Sequence, residues 1–181
     1  FQKKKAGLDY SLYQNGLFRT YDYPPLFNSA NLSIRSFVNK GQEKVIGSRD
    51  GLFYINEATG VVKSFVKPVL TSDLILTICF YQGEYYIGTY GGGMMVLNPE
   101  TLSLKYFAQG DTELFQKGHI FCVKPDAKGN LWIGTSQGLF SYNGQTKQIK
   151  SFTSANSQLP EGNVYEVSFD STGKGWIATE T

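Results

Sequence analysis

Apolar residues in this chain come in short runs separated by polar turns. No apolar spacing of 3.6 residues persists beyond two turns, so the pattern predicts strands and no helix. Residues Ile120–Val123 and Val164–Phe169 read as first strands of a unit. Each is followed by a turn, Asp126-Ala127-Lys128-Gly129-Asn130 or Asp170-Ser171-Thr172-Gly173, suited to a hairpin because Gly and Asn tolerate positive φ. Trp132-Ile133-Gly134-Thr135 then reads as a second strand, its large side chains alternating between faces. Gly138–Tyr142 and Ile149–Phe152 supply a third and a fourth, joined by an Asn-x-x-Thr turn whose Asn bonds backbone two residues on.

This unit recurs. Val45-Ile46-Gly47-Ser48, Tyr86-Ile87-Gly88-Thr89, Trp132-Ile133-Gly134-Thr135 and Trp176-Ile177-Ala178-Thr179 align, their Ile residues 41, 46 and 44 positions apart. Downstream, Gly51, Gly93 and Gly138 each open another strand. Asn56, Asn98 and Asn143 follow at one spacing, then Thr59, Thr101 and Thr146, then Phe65, Phe107 and Phe152. The Gly-to-aromatic interval also joins Gly7 to Tyr21. A period of ~40–50 residues with four strands per unit is that of a propeller blade.

The predicted fold is therefore all-β, a β-propeller of four-stranded antiparallel blades. Its frame gives an outer half-blade at 1–21, blades at 22–65, 66–107 and 108–152, and an inner half-blade at 153–181. A small sheet cannot hide both faces by itself, so each blade must stack on the next. The residues at 86, 132 and 176 should pack toward one neighbour and the adjoining Ile toward the other, with Gly47, Gly88 and Gly134 marking close approach of another blade. Three blades and two halves read as part of a larger propeller; a closed four-bladed ring is the alternative.

Composition narrows the function. In 181 residues, 41% hydrophobic and 18% charged, the apolar content excludes a disordered chain. A net charge of +2 gives no ground for nucleic-acid binding, and Lys3-Lys4-Lys5, the one basic run, reads as a solvated stretch. No apolar run reaches the ~18–20 residues of a membrane span and no signal peptide is visible, although the chain reads equally as an excerpt. Cys79 and Cys122 lack metal spacing and read as buried free thiols.

Candidate chemistry is sparse. His119 is the single histidine, which leaves no multi-His metal site and little scope for a triad. Asp126 and Asp170 occupy equivalent turns, so the repeat explains them. Glu166 and Asp73 sit in or near inner strands as candidate axial carboxylates, without a recognisable partner for glycoside hydrolysis. Ser168-Phe169-Asp170-Ser171-Thr172-Gly173 resembles the aspartate box of sialidases, but its Gly falls one place late. The three arginines, Arg19, Arg35 and Arg49, do not make the triad sialidases need. No catalytic residue and no cofactor is predicted. Loops between second and third strands vary while the framework repeats, and Arg49, Asp50, Tyr90 and Gln137, with His119, are the candidate ligand-binding residues. Each also reads as a solvated loop tip or, for His119, as a polar residue at a strand mouth.

The stretch GNLWIGTSQGLFSYNGQTKQIKSF, followed by LPEGNVYEVSFDSTGKGWIAT, resembles the two-component regulator propeller repeat. Val45 and Tyr86 in place of Trp, Ala178 in place of Gly, and the added Gly91-Gly92-Gly93 depart from it at framework positions. The resemblance implies the periplasmic sensor region of a Bacteroides-type hybrid two-component histidine kinase, binding an oligosaccharide and signalling through a membrane helix. The implied partners are that ligand and the remaining propeller and signalling domains of the same chain, with the membrane reached only through the parent protein. A homodimer stays open, as do a propeller glycan lyase or hydrolase, a secretion-associated scaffold and a cytoplasmic regulator.

Overall fold

The computed structural model describes residues 8–14, 17–23, 33–107 and 112–180; the Lys3-Lys4-Lys5 run lies outside them. The chain divides into two units, Phe1–Ser33 and Ile34–Thr181. In the first, β1 (Leu8–Gln14) and β2 (Leu17–Tyr23) form an antiparallel hairpin in register from Leu8–Tyr23 to Gln14–Leu17.

Among the described residues the second unit holds three four-stranded antiparallel sheets and one two-stranded sheet. The first sheet runs β3 (Ile34–Lys40), β4 (Glu43–Ser48), β5 (Leu52–Asn56) and β6 (Val61–Phe65). The second runs β7 (Ile75–Tyr81), β8 (Glu84–Thr89), β9 (Met94–Leu97) and β10 (Leu104–Tyr106). A short helix α1 (Thr112–Lys117) precedes the third sheet, β11 (Ile120–Pro125), β12 (Asn130–Thr135), β13 (Gly138–Asn143) and β14 (Gln148–Phe152). Strands β15 (Val164–Phe169) and β16 (Gly175–Thr179) make the last. The first strands β3, β7, β11 and β15 are successive neighbours, which is the inner wall of a propeller.

The helix corrects the expectation that none would form. It has six residues, too short for an apolar period to show, and it is held by burial of Leu114 and Phe115. Phe115 packs edge-to-face on Phe107, the residue after β10, and on Phe140 of the third sheet.

Sheet stacking follows from strand alternation. Val45 belongs to the cluster shared with the second sheet, Tyr86 to the cluster shared with the third, and Trp132 to the cluster shared with β15. Their neighbours Ile87 and Ile133 point back into the preceding interface. Burying each large side chain contributes roughly 1.5–3 kcal/mol. The glycines between them are demanded by packing. A Cβ on Gly47 would stand 2.4 Å from Ile75 Cγ2, on Gly88 2.7 Å from Ile120 Cγ2, and on Gly134 2.6 Å from the Val164 carbonyl oxygen. In each case the obstacle includes the opening residue of the next inner strand.

The Ser or Thr that closes the motif is equally constrained. Ser48, Thr89 and Thr135 are fully buried, and each hydroxyl donates to the carbonyl of the Gly opening the following strand: Gly51, Gly93 and Gly138. The same oxygens accept the backbone N–H of Asp50, Gly92 and Gln137, so the loop tips are fixed from within. At the opposite end Asn56, Asn98 and Asn143 each accept two backbone N–H groups of their own turn. Glu43 further ties the first sheet to the second, accepting hydroxyl protons from Tyr54 at 2.7 Å and Tyr85 at 2.8 Å.

Gly134→Ala should lower unfolding free energy by about 1–3 kcal/mol in urea titrations, because a methyl there must displace Val164 or Cys122. Ala178→Gly, at the exposed equivalent position, should cost under about 1 kcal/mol.

Candidate functional site

Each inner strand carries one residue more than the partner it faces. The register shifts between Ile34 and Ser36, Ile75 and Thr77, Ile120 and Cys122, and Val164 and Glu166. The extra residues are Arg35, Leu76, Phe121 and Tyr165. A bulge of this kind leaves its residue outside the ladder and re-aims the side chain. None of the four is buried, although the first residues of β7, β11 and β15 all are.

Two of the bulge residues are aromatic and meet, Phe121 and Tyr165 having ring centroids 4.9 Å apart. His119, two residues before Phe121, lies parallel to it at 6.1 Å, and Tyr90 from the preceding sheet covers His119 at 4.0 Å. Four rings from three successive sheets thus form one row, Tyr90–His119–Phe121–Tyr165. Tyr90 is 51% exposed and Tyr165 42% exposed, so both ends of the row face solvent.

The row sits on fixed backbone. Tyr90 donates its N–H to the Leu74 carbonyl and its own carbonyl accepts the Ser72 hydroxyl at 2.9 Å. The Gly92 carbonyl accepts the Thr71 hydroxyl at 2.6 Å, and Gly93 N–H reaches the Gly118 carbonyl. The triple glycine, a departure from the repeat, is what lets this loop pass. Gly91 and Gly93 have φ of 76° and 70°, and a Cβ on Gly93 would lie 2.0 Å from the Phe115 carbonyl oxygen. His119 accepts Ser136 N–H at its carbonyl, whereas its Nδ1 is buried without a hydrogen-bond partner. Asn163 donates its side-chain N–H to the Tyr165 hydroxyl oxygen at 2.9 Å, which leaves the phenolic proton to donate elsewhere.

The structure brings together two of the five residues singled out in the sequence, Tyr90 and His119. Arg49 and Asp50 lie on the equivalent β4–β5 loop, and Gln137, exposed, on the β12–β13 loop. Gln137 borders a shallow cavity of about 340 Å³ with Thr153, Pro160 and Glu161. Phe121 and Tyr165 were missed because they stand inside apolar runs where strand alternation hides a one-residue slip. Their only sequence signal is a polar or aromatic residue at the second position of runs that otherwise begin with Ile or Val.

Other candidate groups are occupied structurally. Asp126 accepts the backbone N–H groups of Lys128 and Asn130, the Asn130 amide and the Trp132 indole, at 2.8–2.9 Å. Burial pushes its carboxyl up, but these donors outweigh that and hold it below its ordinary value. Asp170 repeats the arrangement with Thr172 and Lys174. Glu166 pairs with Lys124 at 3.3 Å, and Asp73 accepts Lys67 N–H. Burial raises both thiols, Cys79 and Cys122, to about 11, so they are poor nucleophiles at neutral pH. Among the described residues no group of three or more His, Cys, Asp or Glu is arranged to hold a metal ion, and no helix is long and apolar enough to cross a membrane.

Sheets of four antiparallel strands, stacked by their inner strands, make this chain part of a β-propeller. Residues 115–137 match the two component regulator propeller family. It is similar to the extracellular domain of the hybrid two component system BT3049 from B. thetaiotaomicron, with 28% identity over 98% of this chain and 24% of that one, at a TM-score of 0.65. The extracellular domain of the hybrid two component system BT4673, from the same organism, shares the fold at 17% identity and a TM-score of 0.71, covering 94% of this chain and 25% of that one. PorZ of Porphyromonas gingivalis, a surface component of the type-IX secretion system, does so at 15% identity and a TM-score of 0.69, covering 93% of this chain and 27% of PorZ. The chain spans about a quarter of the length of these structures. No curated protein matches it.

Asp126→Asn should lose roughly 1 kcal/mol of stability at pH 7, since these donors meet a partly solvated charge. The native carboxyl lies below its unfolded value, so the stabilisation is full above about pH 4 and disappears as pH falls through the native value. Urea denaturation of both proteins from pH 7 downward should show the gap closing below about pH 4.

Proposed function

We propose that this chain is part of an extracytoplasmic, periplasmic sensing propeller of a hybrid two-component regulator. It recognises an oligosaccharide and does not itself catalyse a reaction. The observation that carries this reading is its likeness, over nearly its whole length, to the extracellular domain of the hybrid system BT3049. The geometry adds support at one end of the sheets. There the hydrogen-bonded loops after the second strands meet the mouths of the inner strands, as in the bonds Tyr90–Leu74, Ser136–His119 and Glu180–Asn163. Framework residues hold those loops from below, which leaves their tips free to vary with the ligand.

In this mechanism the bound glycan fragment favours one of two arrangements of sensor domains or protomers. The parent protein's membrane segment passes that bias to its kinase. The ligand can shift the equilibrium only by the difference in its affinity for the two arrangements. The carboxylates do not argue for hydrolysis: Asp126 and Asp170 are tied into turns and Glu166 to Lys124.

The test is a thermal-shift screen of the complete extracellular region against a panel of neutral and uronate-containing oligosaccharides. A bound member at a hundred times its Kd should add about 2.7 kcal/mol of stability. Hydrolysis or elimination of a panel member by the same protein, with no stabilisation by any, would overturn the sensor reading.

A further inference from the structure

A hairpin between first and second strands needs no bulge, yet all four inner strands carry one at the same place. The scaffold therefore presents one side chain per sheet at a fixed point on the inner rim, independent of the packing positions on either side. Where those side chains are Phe121 and Tyr165 they touch each other, and His119 and Tyr90 extend the contact to the preceding sheet. The row is built for exposure: Tyr90 and Tyr165 remain about half exposed although each has a pinned backbone or hydroxyl.

The geometry also selects the ligand. Tyr90 is tilted 42° to His119 and Phe121 56° to Tyr165, while the near-parallel pair, His119 and Phe121, stands 6.1 Å apart, short of the roughly 7 Å that a flat ring in contact with both faces would need. Tilted rings instead present separate electron-rich faces to a puckered ring whose C–H bonds carry partial positive charge. Donors and acceptors stand beside these faces: the free proton of the Tyr165 hydroxyl, the Asn163 amide, and Ser136, whose N–H meets the His119 carbonyl. His119 Nδ1 is buried without a hydrogen-bond partner, in a ring covered by the half-exposed Tyr90.

Resting on the oligosaccharide-sensing reading and sharpening it, we propose that the bulge-borne row Tyr90–His119–Phe121–Tyr165 is a carbohydrate subsite. It stacks the C–H face of one pyranose ring, while the flanking polar groups take that ring's hydroxyls. Leu76 and Arg35, at the same bulge in the two earlier sheets, set what lies further along the rim.

The experiment uses the complete extracellular region with methyl β-D-glucopyranoside and methyl β-D-galactopyranoside as probes, read by saturation-transfer NMR with irradiation of aromatic protons. Saturation should reach the C–H protons of one sugar face. It should fall roughly three- to tenfold in Tyr165→Ala, whose half-exposed ring is not needed for folding, and in Phe121→Leu, which keeps an apolar side chain in the strand. Leu76→Ala should change it less than about twofold. Unchanged saturation in both aromatic variants would overturn the subsite and leave sugar sensing standing. So would the absence of any transfer to either glycoside while an oligosaccharide still stabilises the protein. Failure of every sugar in both assays would remove the sensing reading together with the subsite.

Discussion

The contact on which this structure rests is the approach of each inner strand to a glycine on the sheet before it. Ile75, Ile120 and Val164 occupy the space that side chains on Gly47, Gly88 and Gly134 would fill. Around each contact, one large residue per strand packs forward and one Ile packs back, so every interface draws its core from two sheets. A four-stranded sheet of about forty residues has no core of its own. Stability is therefore a property of neighbours, as in other repeat architectures.

That arrangement separates framework from surface. The positions that must repeat are the packing pair, the glycine, the buried hydroxyl and the Asn of the outer turn. Once these are fixed, loop tips and bulge residues carry little structural burden. Arg35, Leu76, Phe121 and Tyr165 share a position and little else, the pattern expected where a scaffold holds a site whose chemistry varies. A pocket of about 420 Å³ between the third sheet and β15–β16 is lined by Trp132, Phe169 and Ile177. Trp176 and Ile177 on the two-stranded sheet are 58% and 43% exposed, whereas Ile46, Ile87 and Ile133 on the four-stranded sheets are fully buried.

Much of the fold was legible in the sequence because propeller packing writes itself as spacing. The Gly-Ser/Thr ending, the Asn-x-x-Thr turn and the alternation of Tyr86 with Ile87 each have a periodic signature and a single physical cause. The helix Thr112–Lys117 was not legible, since six residues complete less than two turns. Of the candidate site, Tyr90 and His119 could be named because a loop aromatic and a lone His stand out by type. Phe121 and Tyr165 could not, because a bulge moves one residue by one position and leaves composition and period untouched. Arg49, Asp50 and Gln137 share the loop class of Tyr90 but extend onto other sheets.

The most direct measurement of sheet-on-sheet packing is a double-mutant cycle between Gly47→Ala and Ile75→Ala, read by urea unfolding. The added methyl meets Ile75 Cγ2 at 2.4 Å and Ile75 Cβ at 2.9 Å, so removing the first should relieve most of the strain and give a coupling of about 1–2 kcal/mol. The same glycine variant combined with Val164→Ala, two interfaces away, should be additive within about 0.5 kcal/mol. Additivity at the Gly47–Ile75 pair would contradict the account.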